Sequence, residues 1–185
     1  MTKQVQQLLD EANENSARVR AMFDVQSEES LKRRPPSGGW SAVECIEHLA
    51  LTTGLYERLV PSAVNDAQRR GARGEGPFTM DFKGRLLKWV LEPPYRMRVK
   101  TYHLVDVNEV HEPKKVLGEF LASQERLRAM LASADGLALD AILVASPFNK
   151  KITYNLYSAF ANILAHQRRH LWQAEQALRP RIALG

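Results

Sequence analysis

The chain holds a single cysteine, Cys45, which excludes an intramolecular disulfide and any zinc cluster built from paired thiolates. It also lacks long apolar runs. With no stretch of about 18 consecutive apolar residues, no transmembrane helix and no membrane partner are expected. The opening Met1-Thr2-Lys3-Gln4 leads straight into a polar amphipathic segment; without an apolar signal region, the expected location is the cytoplasm. Charge of one sign is not concentrated either. The net charge is +5, but clusters such as Lys32-Arg33-Arg34 and Arg168-Arg169 are short. A solvated surface accounts for them better than a nucleic-acid stripe does. What is present, 44% hydrophobic and 25% charged residues over 185 positions, is the balance of one globular domain spanning 1–185.

Apolar residues recur with helical spacing. Val5, Leu8, Leu9, Ala12, Val19 and Met22-Phe23 place a first helix over 3–24. Pro35-Pro36-Ser37-Gly38-Gly39 breaks the chain. A second helix begins at Ser41, because Ser41-Ala42-Val43-Glu44 has the form of a capping box, and Pro61 bends or ends it. Residues 68–112 are less regular, with a short helix over Phe82–Leu91 stopped before Pro93-Pro94 and an extended or irregular stretch over Tyr95–Val110. A third long helix starts with Pro113 in its first turn and runs to about Ala132. A last one covers Tyr154 to Leu178. Four long amphipathic helices with a lengthy connection between the second and third predict an all-α fold, a four-helix bundle with a crossover over about 68–112.

Histidines carry the chemistry. His166 and His170 lie one turn apart on the last helix and share a face. His48 lies on the second helix, on the line Cys45, His48, Thr52, Leu55. Both lines flank core-facing stripes, so packing the two helices side by side directs three imidazoles into one end of the bundle. Three nitrogen ligands leave a coordination position open for water or substrate. Neutral imidazole suits zinc, nickel, copper or iron(II) rather than magnesium or calcium. His103 and His111 fall in the crossover and read as surface residues. Glu44 reads as the capping-box partner of Ser41 rather than as a group orienting His48, and Cys45 as a buried inert thiol. Trp40 reads as a packing residue before the cap, Trp172 as helix-packing bulk, and Tyr102 or Tyr154 as a hydroxyl within reach of a substrate.

The segments Gly38-Gly-Trp-Ser-Ala-Val-Glu-Cys-Ile-Glu-His-Leu49 and Leu164-Ala-His-Gln-Arg-Arg-His-Leu171 resemble the DinB-like (DinB/YfiT-like) superfamily of metalloenzymes. Trp40 and Ser41 match its start of the second helix, His48 its first ligand, and His166 and His170 its late pair. The resemblance implies an up-down-down-up bundle and a histidine triad for a divalent metal, with zinc or nickel as found and iron or manganese possible. It also implies a homodimer. Family members that transfer bacillithiol, mycothiol or glutathione make a low-molecular-weight-thiol S-transferase acting on a small electrophilic substrate the leading expectation. The alternatives are a metal-dependent hydrolase using metal-bound hydroxide and a non-enzymatic, stress-related binding protein.

Overall fold

The computed structural model describes residues 1–36, 38–94 and 112–179. Its elements are α1 (Lys3–Val25), α2 (Glu28–Lys32), α3 (Ala42–Tyr56), α4 (Val60–Arg69), α5 (Phe82–Leu91), α6 (Pro113–Ser133), β1 (Leu143–Ala145), β2 (Thr153–Asn155) and α7 (Leu156–Ala177). The chain is mostly helical, as its periodicity predicts. Two short strands depart from the all-α expectation: β1 and β2 pair antiparallel, with Val144 opposite Tyr154. The stretch Tyr95–Val110, with Tyr102 and His103, and His111 lie outside the described residues. Among the described residues no helix is long and apolar enough to cross a membrane.

Helix boundaries follow local chemistry. The Ser41 side chain accepts from the Glu44 amide while the Glu44 carboxylate takes the Ser41 amide, so the expected capping box starts α3. Pro61 does not end that helix. α3 already stops at Tyr56, and Pro61 sits in the first turn of α4, where its missing N–H costs nothing. The last helix starts two residues later than its periodicity suggests, because Asn155 closes β2 and then caps α7 by accepting from the Ser158 amide. α2, one turn and a half capped by Ser27, escaped the periodicity because it is only five residues long.

Four long helices enclose the core. α3 packs against α6 and α7, and α1 against the same two. Gln4 reaches Tyr157 (3.1 Å), Asn15 reaches Gln167 (3.0 Å) and Arg18 reaches Glu175 (2.5 Å), so α1 and α7 run in the same direction. α3 runs against α7: Trp40, before its start, meets His170, and Tyr56 at its end meets Tyr154. Apolar residues gather in two clusters. One holds Val5, Leu8, Leu127, Leu131, Phe160 and Leu164; the other holds Val19, Ile46, Leu49, Val116, Phe120 and Leu171. Between them every long helix contributes buried polar residues: Asn15 and Ser16, Thr52 and Thr53, Ser123 and Gln124, and Gln167.

α5 packs on α7 and β2. The Asp81 carboxylate caps it by accepting from the Gly84 amide (2.6 Å) and also takes the Asn155 amide (2.7 Å), tying the start of α5 to the start of α7. A Cβ at Gly84 would run into the Ser158 side chain and stand 2.9 Å from Asp81 Oδ1. Gly84→Ala should therefore destabilise the protein by about 1–3 kcal/mol through overpacking, against the roughly 1 kcal/mol that alanine gains in an unconstrained helix. Urea denaturation measures the sign, and stabilisation would show that the two helices do not approach this closely.

Candidate metal centre

His48 sits in the second turn of α3, and His166 and His170 face it from α7. The His166 Nε2 stands 3.3 Å from His48 Nε2 and 3.0 Å from His170 Nε2. Ligand atoms from all three rings lie within 4.8 Å of one another. The two distances match the edge of a tetrahedron around an ion with metal–nitrogen bonds of 2.0–2.1 Å, which is about 3.3 Å. Hydrogen bonding among the rings does not explain the arrangement. In a neutral imidazole, a ring nitrogen holds one lone pair or one proton, so His166 Nε2 cannot satisfy both neighbours. A cation faced by three lone pairs resolves the conflict, and the donor set fits a divalent metal.

The surroundings favour lone pairs over protons. His48 and His170 are buried, with 4% and 7% of their surfaces exposed, and His166 is half-buried. Burial holds His166 and His170 well below the ordinary imidazole range, reinforced by the neighbouring rings and by Arg169. Arg169 is itself buried, and its guanidinium donates to the Val90 carbonyl oxygen at 2.9 Å. The His170 Nδ1 is buried without a hydrogen-bond partner. Its ring is oriented by stacking instead: Trp40 lies 5.7 Å from the His170 ring, stacked, and 4.7 Å from the His48 ring. A groove of about 460 Å³ between α1, Lys88 and Arg168 includes none of the histidines.

With this geometry in view, comparison with protein families matches the DinB superfamily over residues 11–174. The chain belongs to the DinB superfamily. The matched span includes Trp40 and all three histidines. Comparisons with curated proteins and with solved structures gave no match.

In this DinB-superfamily chain the other singled-out residues take distinct places. Trp40 packs against the second apolar cluster, as its position before the cap suggests, and also covers two histidine rings. That second contact is invisible in the sequence because it depends on α7. Tyr154 is 1% exposed and hydrogen-bonded to Tyr56 at 2.9 Å within the first apolar cluster, so its hydroxyl is engaged in the core. Cys45 is fully buried and burial pushes its thiol far up, so it is inert as expected. Thr52 was not singled out for chemistry. Its Oγ1 donates to the His48 carbonyl oxygen at 2.7 Å and lies 3.4 Å from His48 Nε2.

Glu44 does not orient His48. Its carboxylate accepts from the Ser41 amide (2.8 Å), the Ser41 hydroxyl (2.8 Å) and the Arg34 guanidinium (2.9 Å). Burial alone would raise its pKa, but these donors outweigh burial and hold it below 4.5. A depressed carboxylate stabilises the fold above its unfolded-state pKa and loses that contribution as pH falls through its folded value. Glu44→Gln should cost about 1–2 kcal/mol at pH 7. The gap from wild type should then narrow as pH drops below 4.5. Urea denaturation in the presence of a chelator checks it; a gap independent of pH would contradict a carboxylate acting through its charge.

Proposed function

We propose that the chain is a divalent-metal-dependent enzyme, a single domain built as an up-down-down-up four-helix bundle, in which His48, His166 and His170 hold the ion. The convergence of three ring nitrogens at 3.0 and 3.3 Å carries this reading, and membership of the DinB superfamily supports it. Zinc or nickel is the ion expected as found, with iron or manganese as alternatives, because imidazole accommodates all four and availability decides among them. An ion held by three protein ligands would supply an open position and the Lewis acidity that turns a low-molecular-weight thiol into its thiolate near neutral pH.

The chain's own residues prepare that site. Burial keeps the ring nitrogens unprotonated, Trp40 shields two of the rings from water, and the Arg169 charge favours an anionic sulfur over a neutral one. In the reaction we infer, the sulfur attacks an electrophilic carbon of a small substrate. A carbon–sulfur bond forms and the leaving group departs with its electron pair. The thiol rests on resemblance to family members that transfer bacillithiol, mycothiol or glutathione. Hydrolysis has less support, since Glu44, the carboxylate one turn before His48, is engaged by Arg34 and Ser41. A homodimer in the cytoplasm completes the reading.

Conjugation of 1-chloro-2,4-dinitrobenzene or monobromobimane by metal-loaded protein tests the proposal, with bacillithiol, mycothiol and glutathione supplied in turn. At least one thiol should be conjugated catalytically, with a loss of about a hundredfold or more in His48→Ala. If no thiol supports turnover while esters or amides are cleaved without one, the hydrolytic reading replaces it.

A further inference from the structure

We propose that the outward face of α5 is a docking surface for an anionic bilayer, on which the helix lies in the headgroup region along the membrane plane. Three large apolar side chains on that face stay exposed: Phe82 by 72%, Leu86 by 52% and Trp89 by 50%. At about 100° per residue, they fall within about 60° of one another round the helix. The opposite side does the packing, with Gly84 held against Ser158 and Leu87 set on the first apolar cluster. A second apolar stripe thus points away from the core, where burial on the protein does not account for it.

The occupant follows from charge. Round the helix, Arg85 borders the stripe beyond Trp89 and Lys83 borders it beyond Leu86, and both cations are exposed. From Phe82 to Leu91 there is no acidic residue. The acids on either side are engaged: Asp81 accepts from the Gly84 and Asn155 amides, and Glu92 takes the Arg168 guanidinium. Asn155 in turn stands opposite Leu143, which is 67% exposed, in a ribbon whose turn carries Lys150 and Lys151. Apolar exposure and positive charge therefore continue past the start of α5.

A lipid surface satisfies both features at once. Phe82, Leu86 and Trp89 enter the boundary of the acyl chains, while Lys83 and Arg85 lay their stems along it and present their charges to headgroup phosphates. A second copy fits worse. A two-fold contact through this face would set its cations against their own counterparts with no acid on the helix to offset them. Three side chains also cover much less than the roughly 800 Å² per partner of a stable interface. The expectation of no membrane partner rests on the lack of a spanning run; a helix of ten residues lying in the interface needs none.

Flotation of the metal-loaded chain with vesicles tests the proposal, using phosphatidylcholine alone and phosphatidylcholine mixed with an equal part of phosphatidylglycerol. At low salt the mixed vesicles should bind about tenfold more tightly or better, and added salt should weaken that binding. Lys83→Gln with Arg85→Gln should lower the affinity by about tenfold or more, at about fivefold per cation. Phe82→Ala with Leu86→Ala should lower it by about tenfold or more through lost apolar burial. Both variants should keep the metal content and helical circular dichroism of wild type. No binding to the mixed vesicles at low salt, equal affinity for both vesicles, or binding that survives in both variants overturns the proposal. A dimer in sedimentation that Phe82→Ala with Leu86→Ala dissociates, without vesicle binding, also overturns it and gives the face to a second copy.

Discussion

A chain of buried amides sets the register on which the site depends. Asn15 on α1 donates to Gln167 on α7 at 3.0 Å, and Gln167 donates to Gln124 on α6 at 3.3 Å. All three are 2% exposed or less, in the polar layer between the two apolar clusters. Apolar packing tolerates sliding and rotation of one helix against another far better than buried hydrogen bonds do, since a slip strands donors and acceptors away from water. With Gln167 held by α1 and α6, its neighbour His166 points round α7 toward α3. The amides thus spend their hydrogen bonds on orientation, a role for which buried polar groups are well suited.

The same layer explains how three imidazoles come to face one another. Neutral rings at 3.0–3.3 Å with mismatched protons are a local conflict that packing elsewhere sustains, as functional sites often require. Trp40 packs against two of the rings, and the unpartnered Nδ1 of His170 shows that no carboxylate has been recruited to that ring. Metal-binding histidines are mostly steered by such a partner; on His170 the stacked Trp40 ring stands in its place.

Much of this was legible in the sequence. The apolar stripes located α1, α3, α6 and α7 within a few residues, and the Ser41–Glu44 spacing gave both the cap and the reason Glu44 is not a ligand-orienting group. The triad followed from histidines flanking two stripes. The polar layer left a fainter signal: the stripe Val5, Leu8, Ala12, Val19, Met22 skips a turn at Asn15 and Ser16. What did not show were features made by tertiary contact. The β1–β2 ribbon is three residues per strand, below the length at which alternation is readable. Trp40 over the rings depends on how α3 lies against α7, and Pro61 reads equally well as a stop or a start until its neighbours are placed.

The central claim is that three histidines from two antiparallel helices share one ion. Metal content of protein purified without an affinity tag, compared between wild type and His170→Ala with helical circular dichroism preserved, tests it most directly. The account predicts about one divalent ion per chain in wild type and a loss of about tenfold or more in occupancy when one of three ligands is removed. Stoichiometric metal retained in the variant would contradict it.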